Sequence, residues 1–326
     1  MFFRAADNGS NAWWQYLFGI IIVALGYVIG QVPLMVVVIL AAARQDDPSL
    51  VNDFAQSMDF TSIGLDPNMG FALALMMFLG ALGGLWIVIR FIHNRRFVSL
   101  INHLDRVRWS RFFWAILVWF LLGLIAEGVS WIFNPDAYTW QFHPSSFLVL
   151  LVIALLLIPF QASFEELFVR GYLMQGIGLG TRSRVLAMVI TSFLFAGLHL
   201  MNPEITQFGM STMITYYVLV GFFLAFLTVM DDGLELAMGV HTATNLFGSL
   251  VITFDGSALQ TPALFKLETP DVQIMLLLMI LSASVFILLA AKRYGWTDWA
   301  KWKQPVEANT PESPLLVDDV ESTEHE

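Results

Sequence analysis

Eight stretches of this chain are apolar over roughly the length a helix needs to cross a bilayer, and nothing else in the sequence constrains the fold as strongly. They lie near 14–43, 69–93, 112–133, 146–178, 185–200, 213–230, 235–253 and 272–291. A spanning helix takes about 20 mostly apolar residues. Inside hydrocarbon every backbone N–H and C=O must be satisfied within the segment, which leaves helices as the expected form. The fold class read from this pattern is all-α, a polytopic membrane helical bundle of about eight transmembrane helices. Only 13% of the 326 residues are charged, against roughly 25% in a soluble domain. The first and fourth stretches exceed a straight span and contain Pro33 and Pro159, so tilt, kinks or protrusion are expected there.

The charge distribution sets an orientation. The loop after the second stretch carries Arg95, Arg96, Arg106, Arg108 and Arg111, the loop after the fourth carries Arg182 and Arg184, and Lys292, Arg293, Lys301 and Lys303 follow the eighth. The intervening loops at 45–68, 134–145 and 201–212 have no Lys or Arg, and Arg44 is an exception at the edge of the first. Basic loops stay on the cytoplasmic side, which predicts a multi-pass protein of the cytoplasmic (inner) membrane with both termini inside. The net charge of −10 comes mostly from the tail after Pro305, which has seven acidic residues and no basic ones and reads as disordered. No basic, aromatic-interleaved patch points to nucleic acid. With no cysteine, disulfides, thiolate metal sites and a cysteine nucleophile are excluded.

Three helices carry polar groups that lipid would penalise, and an ionisable group at that depth marks a functional site by default. Glu165, Glu166 and Arg170 lie in the fourth stretch, Phe195 and His199 in the fifth, and His241 and Asn245 in the seventh. Glu166 and Arg170 are spaced i, i+4 and can pair along one face. Glu165 points about 100° away and is left for another task. Phe195–His199 and His241–Asn245 share the i, i+4 spacing, so each histidine has a neighbour on its own face to orient it. Glu165 lies 15 residues before Gly180 and His199 lies 15 after Arg184, placing both roughly 20 Å from their shared loop. His241, counted from Asp232, is only about 13 Å deep, and this mismatch is left open.

A carboxylate beside two imidazoles and an amide suits hydrolysis by water. Glu165 would take the water's proton, with a pKa raised by burial, and His199 would share or orient that water. His241 and Asn245 would donate to a developing oxyanion. The same Glu165, His199 and His241 would also serve as three ligands of a catalytic zinc with one open position. The H-E-x-x-H signature of soluble zinc proteases is absent.

The three motifs in order, E-E-x-x-x-R, F-x-x-x-H and H-x-x-x-N, resemble those of the CPBP intramembrane proteases (CAAX protease and bacteriocin-processing, or abortive-infection, proteins). The type II CAAX prenyl endopeptidases are the relatives in question. The resemblance covers about residues 146–253. It implies that Glu165 is the catalytic carboxylate, that Glu166 and Arg170 support it, and that His199, His241 and Asn245 complete the site. Members have been described as metalloproteases and also by a metal-free glutamate mechanism, so the cofactor is either zinc or none. The implied partners are membrane lipid and a peptide or prenylated protein substrate. A transporter and a non-catalytic immunity or scaffold protein are the other classes such a bundle allows.

The remaining polar residues have plainer readings. Glu127 is expected to reach the outer interface. His93, His103 and His143, at segment ends or in loops, read as incidental. Asp231 and Asp232 read as turn residues, and Glu235 as favourable charge at a helix N-terminus. The expected organisation is N-terminal helices over 1–145, a protease core over 146–253, a last helix with its flank over 254–304, and the acidic tail over 305–326.

Overall fold

A computed structural model describes residues 2–104, 106–258 and 260–307. Its principal helices are α1 (Trp13–Gln45), α2 (Leu50–Ser57), α3 (Pro67–Ile87), α4 (Trp109–Phe133), α5 (Pro144–Glu166), α6 (Met174–Thr181), α7 (Arg184–Leu198), α8 (Glu204–Phe208), α9 (Met210–Asp231), α10 (Glu235–Leu250) and α11 (Val272–Tyr294). α3 runs on into a π-helical turn, Val88–Ile92, and a second π-helical segment, Leu167–Leu173, joins α5 to α6. A helix therefore stands at each of the eight apolar stretches.

Among the described residues, six helical units are long and apolar enough to cross a membrane: α1, α3 with its extension, α4, the run from Pro144 to Thr181, α9 and α11. The protein is thus an integral, multi-pass membrane protein, and the expected count of about eight spans is not confirmed. α7 has 15 residues and α10 has 16, about 22–24 Å of helix against about 30 Å of hydrocarbon. α10 is buried along most of its length. It packs against α4, α5 and α9 as an internal element, and lipid-facing length is not required of it.

Local sequence sets where helices begin and how closely they pack. Asp66, Ser183 and Asp271 cap α3, α7 and α11 by accepting from backbone amides of the first turn. Each cap satisfies donors that the helix itself leaves open. α1 crosses α3 where Gly26 meets Gly80. A Cβ on either would collide with the other's carbonyl oxygen, so only glycine permits this approach.

The two ends of the bundle differ. At one end Phe2 N donates to Asp232 and Leu234 N to Ile101 O. Arg184 donates to Lys301 O there, and Pro305 forms a bridge with Ser183. The loops rich in Arg and Lys all gather at this end. Pro305 and Val306 are docked onto it, Val306 N donating to Arg182 O. That moves the start of any free tail beyond them, and the tail from 308 onward lies outside the described residues. The other end carries a small sheet in the order β1 (Tyr138–Trp140), β3 (Phe265–Leu267), β2 (Ile252–Thr253). Glu127 accepts there from Tyr138 Oη.

Two expectations are corrected. His93 is fully buried, with Nδ1 on Ser10 O at 2.7 Å and Nε2 on Tyr172 Oη at 3.0 Å; it ties the N-terminal segment to the bundle and is not incidental. Asp231 and Glu235 are more than turn and helix-end residues. Arg108 spans both carboxylates, Arg111 also pairs with Asp231, and Asn102 donates to Glu235.

The depth mismatch of His241 comes from counting from two turns that are not level with each other. Gly171 lies against Leu100 and Leu234, so the turn before α10 is level with Gly171, not with Thr181. The helix runs about ten residues, roughly 15 Å, past that level. Counted from Gly171 and Leu234, Glu165 and His241 are six and seven residues deep, about 9 and 10 Å.

Candidate active site

Glu165 and Glu166 close α5, immediately before the π-helical segment that contains Arg170. π-turns recur at functional sites because they re-aim side chains within a continuous helix. Arg170 Nη1 donates to Glu166 Oε1 at 2.7 Å, and both side chains are 0% exposed. Arg170 also donates to Gly221 O on α9 and lies over the Phe195 ring at 4.2 Å. An isolated buried charge would be costly, and this pair with its carbonyl and aromatic neighbours is how the bundle holds two.

Glu165 faces a different set. Its Oε2 stands 3.5 Å from His241 Nε2 and 3.9 Å from His199 Nε2. These side chains retain 13% exposure for Glu165, 8% for His241 and 18% for His199. The Glu166–Arg170 pair is sealed while the Glu165 side is reachable. Both imidazoles are held through their other nitrogen. His241 Nδ1 meets Glu166 Oε1 at 2.8 Å, and His199 Nδ1 meets Phe195 O at 2.7 Å. Carboxylate and carbonyl oxygens accept only, so both Nδ1 atoms carry hydrogen and both Nε2 atoms point to Glu165 as the reactive positions.

The sequence expectation placed all the site residues on converging helices, and the structure brings Glu165, Glu166, Arg170, Phe195, His199 and His241 together. Asn245 differs. It does not orient His241; its Nδ2 donates to Gln161 Oε1 at 2.7 Å. Gln161 Nε2 in turn donates to Glu165 Oε1 at 2.5 Å. Gln161 was missed, although it is a polar residue one turn before Glu165 in an otherwise apolar helix, and i−4 spacing alone would have flagged it. Tyr217 was also missed. It stacks on His199 with centroids 4.5 Å apart and accepts from Asn202. It comes from α9, which carries no motif, so no spacing rule points to it.

The donor types around Glu165 suit zinc. Their spacing does not: among the described residues no three His, Asp or Glu side chains converge closely enough to hold a metal ion. Ligands of a tetrahedral zinc sit about 3.4 Å apart for bonds of 2.0–2.1 Å, and the Glu165–His199 separation is 3.9 Å.

The fold and site define a class: a helical membrane bundle enclosing a buried ion pair beside a more accessible carboxylate faced by two imidazoles. Residues 144–247 match the family described as type II CAAX prenyl endopeptidase Rce1-like. An uncharacterized protein of Bacillus subtilis strain 168, YyaK, is 30% identical over 247 residues, which is 76% of this chain and 80% of that one. No solved structure matches. The chain belongs to the type II CAAX prenyl endopeptidase Rce1-like family.

Proposed function

We propose that this protein is an intramembrane endopeptidase in which Glu165 activates water. The observation that carries this reading is the gap between Glu165 Oε2 and two imidazole Nε2 atoms, 3.5 and 3.9 Å across. Those separations are too long for good direct hydrogen bonds and suit a bridging water. A water there would give one proton to Glu165 Oε2 while His199 and His241 fix its orientation.

The steps follow from these contacts. Glu165 removes the water's proton as the oxygen attacks the scissile carbonyl carbon. The carbonyl oxygen becomes an oxyanion, stabilised by the second N–H of Asn245, the first being held by Gln161, and by the Nε2–H that His241 carries in its imidazolium form, with Nδ1–H on Glu166. The C–N bond breaks, and Glu165 returns its proton to the leaving amine. Products are a carboxylate and an amine, and no covalent intermediate forms. Glu166 and Arg170 hold His241 and the helix turn, and Gln161 holds the Glu165 carboxylate, as general-base chemistry requires geometry before pKa. No step requires a metal.

The substrate class in keeping with the family is a membrane-associated or lipidated protein or peptide cut near its C-terminus. The basic end of the bundle faces the cytoplasm in this reading. Comparing new protein termini in membranes from cells with wild-type chain or Glu165→Gln tests the assignment. Termini made only by the wild type are expected; identical terminal sets would sink it.

A further inference from the structure

The two imidazoles that face Glu165 are not held alike. His241 lies inside α10, and its Nδ1 meets the buried carboxylate of Glu166 at 2.8 Å, a charge-assisted bond. His199 has no such anchor. It is the C-cap residue of α7, with φ −99° and ψ 3°, where the helix's own hydrogen bonds run out. Its Nδ1 meets a neutral backbone carbonyl, Phe195 O, at 2.7 Å. One hydrogen bond to one ring atom fixes a direction and leaves the imidazole plane free to rock about it. Helix ends also open more readily than helix interiors.

Aromatic contacts fix the plane. The Phe195 ring, one turn back on the same helix, has its centroid 4.4 Å from that of His199 with the planes 46° apart. Tyr217, from α9, stacks at 4.5 Å and 30°. That contact is at the close end of the roughly 4.5–7 Å over which aromatic pairs attract. Tyr217 is itself buried and clusters with Val169, Phe195, Ala196 and Met213, so its ring is a fixed surface. Asn202, three residues past His199, closes a circuit. Its backbone N–H donates to His199 O at 3.1 Å, and its Nδ2 donates to Tyr217 Oη at 3.2 Å. The turn leaving His199 is thereby tied to the tyrosine that stacks on its ring.

We propose that Tyr217 is a positioning residue for His199. Its ring holds the imidazole plane, and with it the Nε2 that stands 3.9 Å from Glu165 Oε2, while its hydroxyl ties down the turn that follows. The proposal rests on the reading of Glu165 and His199 as a water-holding pair. It adds to that pair a helix, α9, that carries none of the sequence motifs.

The test compares purified wild type, Tyr217→Leu, Tyr217→Phe and Glu165→Gln in liposomes on a lipidated fluorescent peptide, with thermal midpoints alongside. Tyr217→Leu keeps an apolar side chain and loses the ring. Its kcat should fall by about tenfold to 10²-fold, the range that a misplaced catalytic group costs, with KM within about twofold of wild type. Tyr217→Phe keeps the ring and should return kcat to within about threefold of wild type. Wild-type kcat in Tyr217→Leu, or equal losses in Tyr217→Leu and Tyr217→Phe, overturns the proposal. A second readout does not use turnover: solid-state NMR of histidine-labelled chain, with signals assigned by His199→Ala and His241→Ala. In Tyr217→Leu the order parameter of the His199 ring should fall while that of His241, held by Glu166, stays as in wild type; an unchanged His199 value overturns the brace. If Tyr217→Leu does not fold, Tyr217→Met is read in its place, and failure of both to fold assigns the tyrosine to the fold and ends the positioning role. Wild-type turnover by Glu165→Gln would instead sink the water-activation reading, and the order parameters would still decide whether Tyr217 holds His199.

Discussion

Glu165 and Glu166, adjacent in the chain, sit on opposite nitrogens of one imidazole: His241 Nδ1 meets Glu166 Oε1 at 2.8 Å, and its Nε2 faces Glu165 Oε2 at 3.5 Å. A 100° step around the helix separates the two carboxylates, and that step divides their work. Glu166 is buried with Arg170 and holds the scaffold. Glu165 keeps 13% exposure, and the proposed mechanism gives it the chemistry.

The division predicts opposite responses to the same substitution. Glu166→Gln leaves Arg170 charged and buried, and breaking such a pair costs about 3–5 kcal/mol. Its thermal midpoint in detergent should fall steeply. Glu165→Gln keeps its Gln161 neighbour and some exposure, so its stability should stay within about 1 kcal/mol of wild type. Midpoints measured side by side check both.

Gln161 is predicted to act on catalysis through Glu165 without touching substrate. Gln161→Leu frees the carboxylate and breaks the link to Asn245. Small misplacement of a general base costs up to about 10²-fold, so kcat should drop while KM stays close to wild type. Gln161→Asn should not rescue, because the shorter chain does not reach. A split of kcat from KM in a peptide assay distinguishes positioning from loss of binding.

Removal of metal is expected to leave turnover unchanged. Among the described residues the spacing around Glu165 does not close on an ion, and in the proposed mechanism each step is carried by carboxylate, imidazole and amide groups. Activity measured before and after dialysis against a chelator, with metal content determined in parallel, checks this. A loss restored by zinc would show that the three donors close around an ion in the working enzyme.

Acid should loosen the N-terminal segment. Burial holds the His93 imidazole down to about 4, against an ordinary value near 6.5, with Ser10 O opposing the shift and Arg95 adding to it. Between those values the unfolded chain binds a proton that the folded one does not. His93 therefore contributes its full stability above about pH 6.5, and that contribution falls as pH drops toward 4. Thermal midpoints across this window should decline for wild type and decline less for His93→Gln.

Much of the frame was legible in the sequence because burial in lipid allows few alternatives. Long apolar runs such as 272–291 must be helices, and the placement of Arg95 through Arg111 marks one end. The site was legible because residues such as Glu165 and His199 violate that apolar rule. Three things were not readable. α10 resembles a span in composition, but its burial inside the bundle depends on packing by α4, α5 and α9. The depth of His241 relative to Glu165 depended on where along the fourth helix the turn before α10 packs, which the contact of Gly171 with Leu234 shows. Asn245 had an obvious i−4 neighbour in His241, yet Gln161 on another helix offered a better-placed acceptor.

The most direct test of Glu165 as the water-activating base is the turnover of a quenched fluorescent peptide, lipidated near its C-terminus, by purified protein in liposomes. Wild type should cleave it, and Glu165→Gln, matched to wild type in thermal midpoint, should lose about 10²-fold or more in kcat. Turnover by a folded Glu165→Gln variant at the wild-type rate would contradict that role.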